Sequence, residues 1–304
     1  MDYKRIIANR EFRRKILRLF SFIPDKYMLM FQYRIKMGRS LDLKQPQRYT
    51  EKIQWYKLYY KNAKMIKAVD KYDVRGLLSN LQLESILPQS YGVYDTYEDI
   101  KWETLPKKFV IKDTLAGGGT SVILVKNKEA VDYEYLHDTL KKWIQSNSHV
   151  KSDGREWPYY SGKNHRILIE EYLETASGEK LTDYKFFCFD GNVYCVYVIG
   201  NREIGAHGEL AIMNADFVRL PYQSATQGIM KVSPSKPDNY EYMVEVARKI
   251  SLGFPHVRVD LYNVDGKVYF GEMTFYGASG YQSFVPDEFD YILGKQFKLP
   301  IMKG

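Results

Sequence analysis

Several features that would assign a protein to a common class are missing from this sequence of 304 residues. It has only two cysteines, Cys188 and Cys195, and five histidines without metal-ligand spacing, so neither a disulfide framework nor a zinc site is indicated. No apolar run approaches the roughly 18 residues that span a bilayer, and the first residues are charged rather than apolar. We therefore expect a folded protein of the reducing cytoplasm.

Two common nucleotide-binding motifs are also absent. The stretch AGGGTS at 116–121 is followed by neither Gly-Lys-Ser/Thr nor an opening helix, which excludes a P-loop and a dinucleotide fingerprint. Short apolar runs flank it at 109–111 and 122–125, and they predict an antiparallel hairpin whose loop could close over a polyphosphate. Lys112 ends the first strand, where its ammonium could reach a phosphate. A plain mobile turn is the alternative interpretation.

The most informative stretch of the sequence is 256–280, where two strand-like runs flank Asp265-Gly266, a strong hairpin signal. A three-residue loop over 264–266 would pair residue 260 with 270 and place Glu272 diagonal to Asp260. Because side chains alternate along strands, four polar residues then share one face. They are Arg258, Asp260, Glu272 and Thr274.

Two carboxylates on one face repel each other unless a cation lies between them. Hard oxygen donors with no His or Cys nearby favour Mg²⁺, which typically takes waters and substrate phosphates as its other ligands. Asp260 and Glu272 are therefore candidate metal ligands. The alternative is a half-solvated hairpin with acidic residues on its wet face.

These motifs together resemble the ATP-grasp superfamily, with a lysine before a Gly/Ser loop, a glutamate in a hinge strand, then Arg-x-Asp and Glu-x-Asn on adjacent strands. More narrowly, QRYTEKIQWYKLYY, DKYDVRGLL, ILIEEYLE, DYKFFCFDG and GEMTFYGASG are similar to the TupA-like ATP-grasp group, which is associated with bacterial surface polysaccharides. The resemblance covers residues 45 to 290. Thr274 departs from it, because the superfamily usually has Asn there.

The resemblance implies an α+β ATP-grasp fold, in which two α+β lobes grip ATP between antiparallel sheets, plus a helical N-terminal extension. Four segments are implied. They are the helical extension at 1–62, a small α/β lobe at 63–106, the nucleotide-binding lobe at 107–199 and a C-terminal lobe with the metal site at 200–304.

The resemblance also assigns roles to residues. The ATP-binding set would be Lys71, Lys112, Gly117, Gly118, Gly119, Thr120, Ser121, Glu170, Glu171, Leu173, Asp183 and Lys185. Within it, Glu170 would accept from the adenine amine and Asp183 from ribose hydroxyls. The Mg²⁺ ligands would be Asp260, Glu272 and Thr274. The catalytic residues would be Arg258, Lys112 and Ser279, the last in a glycine-rich loop whose N–H groups could hold a phosphoryl group or oxyanion.

The implied activity is carboxylate–amine ligation: ATP phosphorylates a carboxylate, and an amine attacks the acyl phosphate to give an amide, ADP and phosphate. Such chemistry needs mainly positioning and charge neutralisation. The substrates would be a small-molecule or glycan carboxylate, such as a uronic acid or amino acid, and an amine, joined in a capsule or O-antigen. A Mg²⁺-dependent glycosyltransferase is the alternative, but it predicts an Asp-x-Asp motif that the sequence lacks. The lack of a recognisable RNA- or DNA-binding module argues against a nucleic-acid partner.

The N-terminal region is basic and predicted to be helical. A helix over 10–20 places Phe12, Ile16, Leu19 and Phe20 near one face, so it could lie on an anionic membrane or pack against the protein. Further helices are predicted at 25–37, 51–60 with Thr50 as N-cap, 129–146 and 239–251, and residues 200–236 are predicted to be irregular.

Overall fold

A computed structural model describes residues 19–117, 121–146, 154–201 and 208–301. The described chain has an α+β fold built on two large sheets, as predicted. Within these ranges no helix has the length and apolar character needed to cross a membrane. Gly118, Gly119, Thr120 and most of the helix predicted over 10–20 lie outside the described residues.

From residue 19 onward, four helices precede the first strand: α1 (Asp25–Met37), α2 (Tyr49–Tyr59), α3 (Lys64–Val69) and α4 (Val74–Ser79). Helix α1 ends as predicted, because Gly38 takes the left-handed conformation at φ 70°. The prediction of Thr50 as the N-cap of α2 is wrong. Glu51 Oε2 instead accepts from the backbone N–H of Arg48, which is the N-cap, while Thr50 Oγ1 donates to Asp290 at 2.8 Å.

The first sheet has four antiparallel strands in the order β1-β4-β2-β3. They are β1 (Ser90–Tyr94), β2 (Phe109–Asp113), β3 (Val122–Val125) and β4 (Ile167–Glu171). Helix α5 (Tyr133–Ile144) covers one face, where Leu136 and Leu140 pack against alternate residues of β2 and β4. Strand alternation places Lys112 and Glu170 on the opposite face. The predicted hairpin at 109–125 is confirmed.

The second sheet contains six strands in the order β11-β10-β5-β6-β7-β9, all antiparallel except the β7–β9 pair. The remaining elements in chain order are β5 (Asp183–Phe189), β6 (Asn192–Gly200), β7 (Glu209–Asn214), β8 (Gln223–Ser224), β9 (Gly228–Ile229), α6 (Tyr240–Ser251), β10 (His256–Val264), β11 (Lys267–Thr274), β12 (Phe284–Val285) and α7 (Glu288–Gln296). Helix α6 packs on β5, β6 and β10, and α7 packs on α2.

The prediction that residues 200–236 are irregular is wrong in part, because this segment contributes β7 to the second sheet. Leu210, Ala211, Ile212 and Met213 are all buried, so the strand has a short continuous apolar run without the alternation that identifies a half-exposed strand. The predicted segment boundaries at 62, 106 and 199 remain predictions. Strand β1 comes from the second predicted segment and pairs with β4 of the third.

The β10–β11 hairpin differs from its predicted register. Asp265 and Gly266 form a two-residue turn with φ 50° and 84°, so Val264 pairs with Lys267 and the predicted three-residue loop is wrong. A bulge at Gly271 then places Glu272 directly opposite Asp260 instead of diagonal to it. The bulge favours glycine, since a Cβ there would lie 3.0 Å from the Asp260 carbonyl oxygen.

His256 anchors the start of β10 in the core. Its Nδ1 lies 2.9 Å from the carbonyl oxygen of Cys188 and its Nε2 lies 3.0 Å from the Tyr49 hydroxyl, while the ring stacks on Phe189. These partners fit a neutral ring that donates through Nδ1 and accepts at Nε2. Burial lowers the pKa of His256 to about 3.

We expect this histidine to make the fold acid-sensitive. Between its ordinary pKa of 6.5 and about 3 the unfolded chain binds a proton that the folded chain does not, so the free energy of unfolding falls as pH falls through this window. The loss should reach at most about 1.4 kcal/mol per pH unit. Urea denaturation from about pH 7 to about pH 5 should show a shallower loss for His256→Gln than for the wild type. Equal slopes would contradict this assignment.

Candidate functional site

Opposite charges follow one another across three neighbouring strands of the second sheet. Asp260 on β10 accepts from Arg258 Nε and Nη2, both at 2.7 Å. Lys185 on β5 donates to the same carboxylate and lies 2.6 Å from Asp183 Oδ2. Asp260 and Lys185 are direct partners in the strand register, so the backbone pairing itself brings these charges together.

The neighbouring strand β11 completes this face. Arg258 Nη2 also contacts Glu272 Oε1 at 3.3 Å and Thr274 Oγ1 at 3.1 Å. The Thr274 hydroxyl donates to Glu272 Oε1 at 3.1 Å. The four residues predicted to share a face therefore lie within hydrogen-bonding distance of one another, in the chain Asp260, Arg258, Glu272 and Thr274.

Burial and ion pairing oppose each other at this face. Burial alone would raise the pKa of Asp260, but Arg258 and Lys185 together outweigh it and hold that pKa below its usual range. For Asp183 burial is the larger effect, and its pKa is raised although Lys185 opposes the change. Burial would lower the pKa of Arg258, yet Asp260 and Glu272 raise it, so the guanidinium stays charged.

Lys71 lies between the two sheets. Its ammonium donates to the carbonyl oxygen of Asp113 at the end of β2, at 3.0 Å, and to that of Ala116 in the loop that follows. Burial lowers the pKa of Lys71, and the strongest opposing charge is that of Glu272 on the second sheet. The predicted phosphate-binding lysine therefore faces the carboxylates from the first sheet's side.

The predicted adenine and phosphate residues of the first sheet form their own ion-pair group. Lys112 Nζ donates to Glu170 Oε2 at 2.6 Å, and Arg75 on α4 contacts Glu170 Oε1 at 3.3 Å. Glu171 exchanges hydrogen bonds with the backbone of Gln89, which fixes the start of β1. Of the remaining predicted residues, Gly117 and Ser121 flank the loop after β2, and Leu173 is half-buried just beyond β4.

The loop Gly277–Gly280 follows β11 and is held from several directions. Ala278 and Ser279 have left-handed φ values of 46° and 53°, which are uncommon for residues with a side chain. The Ser279 N–H donates to the Tyr276 carbonyl at 2.7 Å, and its carbonyl accepts from Lys57 and Gln54 at 2.8 and 3.1 Å. The backbone of this loop is thus fixed by α2.

Sequence reasoning missed the residues that support this loop. Lys57 on α2 is fully buried, and its ammonium also donates to the Gly154 carbonyl at 2.8 Å. Glu156 accepts from the Ser279 hydroxyl and lies 3.9 Å from Lys57 Nζ. A signal was present, since Lys57 follows Thr50, Ile53 and Gln54 at helical spacing and so lies on the buried face of α2.

The oxygen atoms of this face suit a hard divalent ion whose remaining ligands are water and phosphate. Asp260 and Glu272 supply carboxylates from facing positions, and Thr274 adds a hydroxyl. In the described part of the chain no three His, Cys, Asp or Glu side chains converge as a metal-binding cluster. Mg²⁺ typically binds proteins through one or two carboxylates and completes its shell with water and phosphates, so these residues fit it.

The family model described as TupA-like ATPgrasp matches residues 51–298, more than four-fifths of the chain. No curated protein matches the sequence.

Solved structures with similar folds include D-alanine–D-alanine ligase from Bacillus anthracis, at 15% identity and a TM-score of 0.43, covering 69% of this chain and 57% of that one. N5-carboxyaminoimidazole synthetase from Staphylococcus aureus, complexed with ADP, has 13% identity, a TM-score of 0.42 and coverages of 77% and 53%. Biotin carboxylase from Campylobacter jejuni has 13% identity, a TM-score of 0.44 and coverages of 78% and 48%. The chain thus spans about half of these proteins.

Lys57 should make the protein more stable as pH rises, whereas an exposed lysine in an ion pair makes a protein less stable as pH rises. Burial lowers its pKa from 10.5 to about 7, so above pH 7 the unfolded chain keeps a proton that the folded chain loses. The free energy of unfolding should therefore gain up to about 1.4 kcal/mol per pH unit from Lys57 as pH rises from about 7 to about 10. Chemical denaturation of wild type and Lys57→Met measures this gain. If the variant keeps the wild-type slope, Lys57 titrates normally in the fold.

Proposed function

Because the chain belongs to the TupA-like ATP-grasp family, we propose that it is an ATP-dependent ligase that joins a carboxylate to an amine through an acyl phosphate. The observation that carries the proposal is the meeting of Arg258, Asp260 and Glu272 on one face, with Lys71 opposite them between the sheets. Cations and metal-binding carboxylates at one place suit phosphoryl transfer, which requires positioning and charge neutralisation. It needs no side-chain nucleophile.

The nucleotide would lie between the two sheets. Lys71 and Lys112 would bind phosphate oxygens, and backbone N–H groups of Gly117, Gly118, Gly119, Thr120 and Ser121 would do so as well. On the hinge side the base would be recognised by Glu170, Glu171 and Leu173. Asp183 would accept from the ribose hydroxyls, and Lys185, next to it on β5, would reach the nucleotide or the substrate.

The second sheet would hold the reacting groups. Asp260, Glu272 and Thr274 would bind Mg²⁺, which when bound neutralises charge on the phosphates. Arg258 would bind the carboxylate substrate and later stabilise the oxyanion formed when the amine attacks. Its guanidinium is suited to this role because it remains charged and presents several N–H donors in one plane. Ser279, in its fixed loop, would orient the same group.

Glu156 is the carboxylate that we propose for binding the amine. Glu156 lies beside Ser279, and its side chain is only 17% exposed. An amine enters as an ammonium ion at neutral pH, and a carboxylate beside the acceptor site would bind it and accept the proton that its nitrogen loses as the new C–N bond forms. We therefore include Glu156 on the acceptor side.

The substrates would be small-molecule or glycan compounds, with a uronic acid or amino acid as the carboxylate and a capsule or O-antigen component as the product. The reaction would take place in the cytoplasm, which suits the two buried free cysteines, Cys188 and Cys195. No nucleic acid takes part in this scheme.

Mass spectrometry of ATP turnover with a panel of uronic acids and amino acids tests the proposal. ADP, phosphate and an amide should form only when a carboxylate and an amine are both present. Pyrophosphate release would instead mean adenylation, and transfer of sugar from a nucleotide sugar would mean a glycosyltransferase. Either result would overturn the proposal.

ATP affinity should depend on Lys112. Lys112→Ala removes a charge-assisted contact worth about 1.5–3 kcal/mol, so the Kd for ATP should rise about tenfold or more. Lys108→Ala is a matched control, since Lys108 pairs with Glu174 at 2.6 Å on the exposed surface of the same region. Unchanged ATP affinity of Lys112→Ala in calorimetry would argue against phosphate binding by this residue.

Variants of Asp260 and Glu272 should distinguish an effect on turnover from an effect on stability. Asp260→Asn leaves Arg258 and Lys185 without the buried charge they share, so it should cost about 3 kcal/mol of unfolding free energy. Glu272 is 38% exposed in its side chain, and Glu272→Gln should change stability by no more than about 0.5 kcal/mol.

Both variants should nevertheless lose Mg²⁺-dependent turnover, by about 100-fold or more. Thermal denaturation gives the stability and ADP release gives the turnover. Wild-type turnover by Glu272→Gln at limiting Mg²⁺ would place the metal elsewhere, and since this variant should fold normally, misfolding could not explain the result.

A further inference from the structure

Helix α1 has apolar side chains on its solvent face as well as on its buried face. Met28, Leu29, Gln32 and Tyr33 are buried, as expected of a helix packed on one side. On the other side, Tyr27, Phe31 and Ile35 recur at intervals of four residues and so form one stripe. Their exposed fractions are 62%, 61% and 39%.

Further large apolar side chains are exposed in the segment before α1 and on α1 itself. Leu19 and Phe22 of that segment are exposed by 73% and 78%, and Met30 of α1 is exposed by 40%. Single exposed apolar side chains are ordinary, but several large ones on consecutive turns form a patch of the kind found at interaction sites. We call this patch the α1 face and define it by its members: Leu19, Phe22, Tyr27, Met30, Phe31 and Ile35.

Positive charge is concentrated in the same part of the chain. Residues 1–39 contain eleven Lys and Arg against three Asp and Glu, a net charge of +8 that equals the net charge of the whole protein. The remaining 265 residues are therefore neutral in sum. Within the described part, Lys26 and Arg34 are exposed on α1 itself, beside the aromatic stripe.

We propose that the α1 face docks on the surface of an anionic lipid bilayer. An apolar stripe with basic residues at its edges is the arrangement by which helices lie in a membrane interface, with rings inserted at the headgroup level and cations contacting anionic lipids. Each basic residue near such a surface adds about 1 kcal/mol of attraction. A nucleic acid would use the charge but leave the apolar stripe uncompensated in water.

The segment before α1 is held in a fixed conformation that presents this face. Arg155 is buried and donates to the backbone carbonyls of Phe20, Ser21 and Ile23 and to the Asp25 carboxylate. Because this segment is already ordered, docking would not require it to fold first, and less conformational entropy would be lost.

The buried side of α1 contacts the loop of the candidate active site. The Tyr281 hydroxyl, one residue after Gly280, donates to Gln32 at 2.8 Å, and Lys36 lies 3.9 Å above the Tyr281 ring. A helix with its side chains is about 10 Å thick, so docking would bring the bilayer to about that distance from this loop. On the proposed ligase function, this position suits a substrate anchored in the membrane.

Sedimentation of the full-length protein with vesicles tests the proposal without any substrate. Vesicles of phosphatidylglycerol and phosphatidylethanolamine should bind the wild type, and vesicles of phosphatidylcholine should bind it at least about tenfold more weakly. Tyr27→Ser with Phe31→Ser should weaken binding to the anionic vesicles about tenfold or more. The matched control, Tyr135→Ser with Leu252→Ser, removes side chains that are 63% and 65% exposed elsewhere, and it should bind like the wild type.

Three results would overturn the proposal. One is failure of the wild type to bind anionic vesicles, and another is equal binding by Tyr27→Ser with Phe31→Ser and by the wild type. The third is a wild-type dimer in sedimentation velocity that this double variant converts to a monomer, since the face would then serve a second copy of the chain. Because the readout is lipid binding, it is independent of whether the ligase proposal holds.

Discussion

The candidate site depends on the carboxylate of Asp260, which is buried in the second sheet and shared by two cations. Arg258 grips both of its oxygens and Lys185 reaches it from the adjacent strand. Removing a carboxylate from water is costly, and only close, hydrogen-bonded cations can repay the cost. The pairing of β10 with β5 and β11 therefore cannot shift without separating these charges, and the register of three strands is tied to the geometry of the site.

The N-terminal helices belong to the same structural unit as this sheet. Tyr49 on α2 contacts His256 at the start of β10, and Lys57, two turns later, binds the carbonyl of Ser279. Tyr49, Ile53 and Tyr56 lie in the main hydrophobic core with residues of β5 and β10. A segment that reads as an extension in the sequence is thus a wall of the site, and it also carries the face that we propose to dock on lipid.

Much of the fold and part of the site could be predicted from residue patterns. Alternation along strands correctly placed Arg258, Asp260, Glu272 and Thr274 on one face. The turn shifts the register by one residue and the bulge at Gly271 shifts it by one more, and a shift of two residues in all leaves each side chain on its predicted face. A bulge depends on local backbone packing, and the glycine at its position is the only sign of it in the sequence. The prediction of Thr50 as N-cap was wrong, and strand β7 was not predicted, for a related reason. In both cases contacts with residues distant in the sequence decide the local structure. The role of Lys57 follows from contacts with residues about 100 and 220 positions away.

The charge balance of the site indicates how its ligands would arrive. Asp183, Asp260 and Glu272 face Arg258, Lys185 and Lys71, so three carboxylates meet three cations and the described group is neutral. A divalent ion alone would add positive charge beside Arg258, and a polyphosphate alone would add negative charge beside Glu272. Either addition costs free energy where water is largely excluded. Bound together, the two charges would partly offset each other, which would favour joint entry of metal and nucleotide. A metal ion on Asp260 would also compete with Arg258 for that carboxylate and would leave the guanidinium available to an incoming carboxylate.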